Sequence, residues 1–290
     1  MSESLRLGLH SVLIGLLLCW VMSVPGEAAG QASGILTVKD VLALPNQTAR
    51  IEAHLSGKTP AGGAAWAGVS LRLSIDGKPV ETSKTNEGGQ VIFEYMPKMR
   101  GTYVITVSID GTAPVSAETT HATLCVWERR RPILLVELEA IMQPNLSATV
   151  AGSLASIGPL TEPPAQPVPD AAEELSRLTQ YYYNVVYVPT GEQSSAEAAS
   201  VGGVRRWLET HKFPAGFVMT SPSGNVNAAI EAVKQGGWTT MKTGIGRTRS
   251  FAETLLHHRM EVVVVPELPK GELPRKAKAA KEWKEVRKKL

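Results

Sequence analysis

The stretch RPILLVELEAI, residues 131–141, decides how this chain is read. Ile133, Leu134, Leu135 and Val136 form an unbroken apolar run, and Glu137, Leu138 and Glu139 follow at once. A short continuous apolar run fits a strand buried on both faces, as in a parallel sheet covered by helices. Ending such a strand on acid-x-acid puts two carboxylates at the carboxyl edge of the sheet, where open α/β sheets build their sites.

The sequence beyond this stretch alternates strand and helix. AAEELSRLTQYY has helical spacing, with Leu175 and Leu178 on one side. VVYVP, 185–189, reads as a second buried strand. SAEAASVGGVRRWLETHK reads as a helix weakened by Gly202 and Gly203, and AGFVMTS as a third strand. NAAIEAVKQGG is a helix closed by glycine, RSFAETLLHHR another helix, and EVVVVPE a fourth strand. This alternation predicts a parallel sheet with helices on both faces. The Pro-rich GPLTEPPAQPVPD, 158–170, is a loop. In TGIGRTRS, 243–250, backbone N–H groups before a helix can cradle an anion, with Arg247 and Arg249 nearby. The segment lacks the Gly-Lys-Ser/Thr ending of a nucleotide loop, and a plain helix-entry turn explains it as simply.

The sequence before it is built differently. GVSLRLSIDGKPV alternates Val69, Leu71, Leu73 and Ile75 with Ser70, Arg72 and Ser74, so one face is buried and one is wet. Asp76-Gly77 is a hairpin signal. VIFEY, TYVITVSID and HATLCVWE continue the strands between glycine turns, which predicts an antiparallel sandwich over 35–128. SLRLSIDGKPVETSKTNEGGQVIFEYMPKMRGTYVITVSIDG resembles bacterial immunoglobulin-like domains of surface and secreted proteins, which implies a fold and leaves the function open. The link Glu128-Arg129-Arg130-Arg131-Pro132 is short and should hold the two domains close.

The order of elements in the second half carries a second resemblance. An apolar strand ending acid-x-acid, then VVYVPTGEQ, RRWLETHKFPAG at 205–216, MKTG, a helix and VVVVPE, is similar to the haloacid dehalogenase-like (HAD) superfamily. The nearest branch is the lipin-type phosphatidate phosphatases. The likeness spans residues 133–267. It implies a Rossmann-like α/β domain over 132–268 in which the first acid attacks phosphorus and the second is the acid/base. The family uses Asp-x-Asp, whereas Glu137 and Glu139 stand here. Each added methylene moves a carboxylate by roughly 1.5 Å, and a misplacement near 1 Å costs on the order of 100-fold in rate. Pro189 occupies the register of the family's second-strand hydroxyl, with Thr190 one residue later. Lys242 matches the family lysine, and Glu267 remains where acids would help Glu137 and Glu139 hold Mg²⁺.

Two functions are therefore expected from Glu137, Glu139, Thr190 and Lys242. The first is a noncatalytic, pseudophosphatase-like binding protein that needs no cofactor. The alternative is a Mg²⁺-dependent phosphatase acting on a phospholipid or other phosphoester.

Composition sets the rest. At 290 residues and 43% hydrophobic content, the chain has material for two domains with cores. Residues 270–290 hold nine Lys or Arg against three Glu, so the net charge of +3 leaves the remainder at −3. Basicity thus belongs to a C-terminal tail, read as a helix with Ala277, Ala280 and Trp283 on one narrow face. No nucleic-acid partner is expected. An unknown protein or an acidic surface is, with anionic membrane contact through 274–290 as one form of it. Residues 1–28 read as a signal peptide: Arg6, the apolar SVLIGLLLCWVMSV, then Pro25, Gly26 and Ala28. Export to the periplasm or medium follows, with an uncleaved N-terminal anchor as the alternative. Cys125 is then the lone cysteine and reads as a small buried hydrophobe. His257 and His258 read as surface residues.

Overall fold

The computed structural model describes residues 32–57, 65–143, 165–190, 201–220 and 225–290. The expected signal peptide and most of the Pro-rich loop lie outside them. Nine strands precede the link: β1 (Ala32–Val38), β2 (Val41–Ala43), β3 (Ala49–Gly57), β4 (Ser70–Ile75), β5 (Lys78–Lys84), β6 (Gln90–Tyr95), β7 (Gly101–Ile109), β8 (Val115–Ser116) and β9 (Thr120–Val126). They form a four-stranded sheet, β6-β3-β1-β8, and a five-stranded sheet, β2-β9-β7-β4-β5. Alternation along β3 and β4 places Ile51, Leu55, Leu71 and Leu73 in a shared core with Phe93, Ile105 and Leu124. The sandwich begins at β1, before Ile35, and is not wholly antiparallel. β1 pairs parallel with β8, and β2 pairs parallel with β9. The chain leaves one sheet after β1 and joins the other at β2, so these neighbouring strands meet different partners.

The second half contains β10 (Ile133–Glu137), α1 (Leu138–Ile141), α2 (Ala171–Tyr181), β11 (Asn184–Val188), α3 (Val201–Thr210) and β12 (Phe217–Val218). It continues with α4 (Val226–Gln235), β13 (Met241–Gly246), α5 (Arg249–His257), β14 (Glu261–Val264), β15 (Lys278–Ala279) and α6 (Trp283–Lys289). The six strands form one parallel sheet in the order β12-β11-β10-β13-β14-β15. Numbered within this half the order is three-two-one-four-five-six, doubly wound, with its reversal between β10 and β13. Successive residues of β10 face opposite ways. Leu134 and Val136 pack with α2, α3 and α6, while Ile133 and Leu135 pack with α4 and α5. Both faces are covered, which is why ILLV carries no polar residue.

Three expectations require correction. MKTGIG is strand β13, not a loop before a helix. Its glycines admit close neighbours: a Cβ on Gly244 would lie 2.2 Å from Leu255 Cδ1, and one on Gly246 would lie 2.3 Å from Phe251 Cδ1. The C-terminal segment is not a separate basic tail. β15 extends the sheet beside β14, and Ala280, Trp283 and Val286 are buried in the core. Trp283 Nε1 donates to the Ala140 carbonyl at 3.0 Å. The α/β half therefore runs to residue 290, beyond the expected boundary at 268, while Arg275, Lys276, Lys281, Arg287, Lys288 and Lys289 remain exposed. Third, His258 is not a surface residue. Its side chain is 6% exposed, with Nδ1 2.8 Å from Lys234 Nζ and 3.0 Å from Glu231 Oε1 on α4.

Burial, followed by the positive charge of Lys234, lowers the His258 pKa from its ordinary 6.5. Folding thus favours the neutral ring, and the unfolded chain binds more protons just below pH 6.5. The His258 contribution to stability is present above that pH and lost as pH falls through the folded value. Urea midpoints measured at pH 7 and pH 5 should therefore fall on acidification, and His258→Gln should make that fall smaller.

The two halves cluster as one unit, Ala32–Leu290, and share a core. Cys125 and Trp127 pack among Ile133, Leu135, Met219 and Ile230. Cys125 is fully buried, as expected. Trp127 meets Trp238 edge-on, with ring centroids 6.2 Å apart. Among the described residues no helix is long and apolar enough to cross a membrane.

Candidate functional site

Glu137 ends β10 with its side chain fully buried. Its carboxylate accepts four hydrogen bonds. Thr190 Oγ1 donates to Oε1 at 2.8 Å, and the Thr248 hydroxyl also donates to Oε1. The backbone N–H groups of Arg247 and Thr248 donate to Oε2 at 2.5 and 2.9 Å. A carboxylate has about four lone-pair directions, and each of them on Glu137 faces a donor. Thr248 caps α5, accepting from Phe251 N at 3.2 Å. The helix N-terminus adds its positive end to these donors. Gly246 permits the approach, because a Cβ there would sit 2.9 Å from Glu137 Oε2.

The turn read from sequence as an anion cradle therefore holds an anion, and the anion is the chain's own Glu137. Sequence reasoning found both parts without joining them. It missed Thr248, whose pattern as a Thr capping a helix after a glycine strand was the available signal. Glu139, half-buried in the first turn of α1, reaches the same cluster. Its Oε2 lies 2.7 Å from Thr190 Oγ1. Thr190 has one hydrogen to give, so the two contacts cannot both be donated bonds. Thr190 thus bridges the two acids and gives its hydrogen to one of them at a time.

Glu137, Glu139 and Thr190 are thus brought together, and the other two candidates are not. The register pairs Ile133 with Met241 and Leu134 with Thr243, so Lys242 is the extra residue of a bulge at the amino end of β10. Four residues of strand separate that level from Glu137, roughly 13 Å. Lys242 is exposed there. Its match to a family lysine fails because the segment is strand, which carries Lys242 away from the carboxyl edge. Glu267 is exposed beyond β14. Among the described residues no three His, Cys, Asp or Glu side chains come together as metal ligands. Magnesium demands a near-octahedral oxygen shell, and the acceptor directions of Glu137 already face donors. The residues present do not fit the ion.

A second buried charge cluster joins the halves and was not legible in the sequence. Asp40, between β1 and β2, accepts from Thr123 N at 2.7 Å, from Val218 N at 2.8 Å and from the Arg205 guanidinium. Arg205, on α3, also donates through Nε to Thr123 Oγ1 at 2.8 Å and through Nη1 to the His121 carbonyl at 2.7 Å. Burial raises the Asp40 pKa, opposed by the Arg205 charge and by the two N–H groups. The aromatic and proline residues of RRWLETHKFPAG are also committed to packing. Trp207 stacks on Phe213 at 5.3 Å, and the Pro214 carbonyl accepts from Tyr187 Oη at 2.6 Å.

No protein-family profile matches the chain, and no curated protein matches it. Solved structures similar to parts of it include fibronectin(III)-like modules from Clostridium thermocellum, 13% identical over 33% of this chain and 47% of that one, with a TM-score of 0.25. This chain spans about half the length of that protein. The CARDB domain of a Pyrococcus furiosus protein is 16% identical over 33% of this chain and 96% of its own, with a TM-score of 0.24. A Paenibacillus cycloisomaltooligosaccharide glucanotransferase is 14% identical over 64% of this chain and 28% of its own, with a TM-score of 0.27. The sandwich is defined by its own strand pairings and core.

Proposed function

We propose that the chain is an exported, noncatalytic HAD-like protein, a pseudophosphatase paired with an immunoglobulin-like domain, that acts by binding. The observation that carries this reading is the enclosure of Glu137 by Thr190, Thr248 and two backbone N–H groups. A nucleophile must present a free lone pair to phosphorus. Here each lone pair of the first acid faces a donor, one of them shared with Glu139, and the cradle that would hold a phosphate is filled by that acid. The doubly wound strand order, with the acid pair beside its reversal, supports descent from a site of HAD type. No cofactor belongs to this reading. The partner is a protein or other acidic surface, met through the exposed basic side chains of residues 275–289. Because Trp283 and Val286 face the core, that contact is electrostatic and involves no insertion of α6 into lipid.

Hydrolysis of an aryl phosphate with Mg²⁺, by wild type, Glu137→Ala and Glu137→Asp, tests the proposal. All three should match the buffer blank. The shortened acid gains nothing while Lys242 stays at the far end of the strand. Wild-type turnover that Glu137→Ala abolishes would overturn the noncatalytic reading.

A further inference from the structure

At the opposite, amino-terminal edge of the parallel sheet, the sandwich and the α/β half enclose a groove of about 450 Å³. That volume lies in the range of small-molecule sites, which concentrate at such junctions. One wall carries Ser176, Gln180 and Asn184, and the other carries Arg100, Glu128 and Arg131. Hydroxyl, amide and guanidinium groups from several elements thus converge on one space. The side-chain Nδ2 of Asn184 is buried without a partner among the described residues.

The mouth adds charge and aromatic surface. Arg100 is 76% exposed and only loosely paired, 3.5 Å from Glu128. Arg131 donates to the Thr179 carbonyl, which aims it along the wall. Two guanidinium groups against one carboxylate favour an anion. Tyr183 lines the groove, and the adjacent Tyr181 and Tyr182 are 69% and 61% exposed. The three rings follow one another at 6.3 and 6.4 Å. Large exposed aromatic clusters mark contact surfaces.

We infer that this groove binds an acidic saccharide. Sugar hydroxyls match the exposed Gln180 amide and the Ser176 hydroxyl oxygen, whose own hydrogen goes to the Ala172 carbonyl at 2.7 Å. A uronate carboxylate matches the guanidinium groups of Arg100 and Arg131, which line the same groove. The apolar face of a sugar ring matches a tyrosine ring. The inference goes beyond the noncatalytic reading: turnover at Glu137 would leave this groove as it is, so the two experiments fail separately.

Isothermal titration of the full chain with digalacturonic acid tests it, with maltose and sodium acetate as comparison titrants. Digalacturonate should bind saturably, with maltose at least about tenfold weaker and acetate not saturating. Arg100→Glu and Gln180→Ala, both at partly or largely exposed positions, should each weaken digalacturonate binding about tenfold. Absence of saturable digalacturonate binding by chain with native circular dichroism would overturn the proposal. So would equal affinity for maltose, or an affinity that neither substitution changes.

Discussion

Arg205→Ala should lower the free energy of unfolding by about 3–5 kcal/mol, the usual cost of breaking a buried ion pair by removing one partner. Arg205 and Asp40 are both nearly inaccessible, with side chains 10% and 0% exposed. Losing the guanidinium leaves the Asp40 carboxylate desolvated between two backbone N–H groups, with no opposing charge. It also leaves Thr123 Oγ1 and the His121 carbonyl without the donors they now have. Typical domains are stable by only about 5–15 kcal/mol, so the loss is severe. Arg205→Lys should recover part of it, because one ammonium cannot serve three acceptors set around a planar fork. Replacing Asp40 and Arg205 together by apolar residues should cost less than the two single losses summed, since no lone charge is left behind. Guanidinium titration of wild type, Arg205→Ala, Arg205→Lys, Asp40→Ala and the double variant measures this. A loss below about 1 kcal/mol for Arg205→Ala would place the pair among ordinary surface contacts.

Glu137→Ala should have the second large effect. It removes the acceptor for two backbone N–H groups and two hydroxyls in a buried setting. Each buried donor left unmade costs about 1–3 kcal/mol. The threonine hydroxyls can turn to other acceptors, whereas the N–H groups of Arg247 and Thr248 are fixed by the turn. A loss of about 3 kcal/mol or more is expected. Glu137→Gln should cost least, because its carbonyl can face the two N–H groups while its amide nitrogen faces hydroxyl oxygens. Glu137→Asp should fall close to alanine, since the carboxylate retreats roughly 1.5 Å from every donor. A catalytic acid and a structural acid differ in this order. An aspartate as stable as wild type would mean that the reach of glutamate is not what the fold uses.

The parts of this architecture that obey a local period were legible. Alternation along Leu71, Leu73 and Ile75 gave a half-buried strand, and the unbroken Ile133–Val136 run gave one covered on both faces. Strand β13 was hidden because MKTGIG holds a lysine, a threonine and two glycines. Those glycines are required where Leu255 and Phe251 press on the sheet, so here glycine marked close packing inside a strand. The error moved Lys242 to the wrong end of β10. At the C-terminus, Ala277, Ala280 and Trp283 suggested one continuous apolar stripe. The segment instead divides into β15 and α6, both held by the core. Asp40 and Arg205 lie 165 residues apart, and nothing local marks either as buried. The carboxylate pair was read at the correct edge of the sheet. What periodicity could not supply was its partner, because the Arg247–Thr248 turn reaches Glu137 only through the pairing of β10 with β13.

Amide hydrogen exchange at Arg247 and Thr248, in wild type and in Glu137→Ala, tests the central claim most directly, with Val263 of β14 as the internal standard. If the Glu137 carboxylate is the resident anion of this turn, both amides should lose at least about tenfold more protection than Val263 in the variant. Equal losses at all three positions would show that the turn holds its own amides, and would contradict the assignment of Glu137 to it.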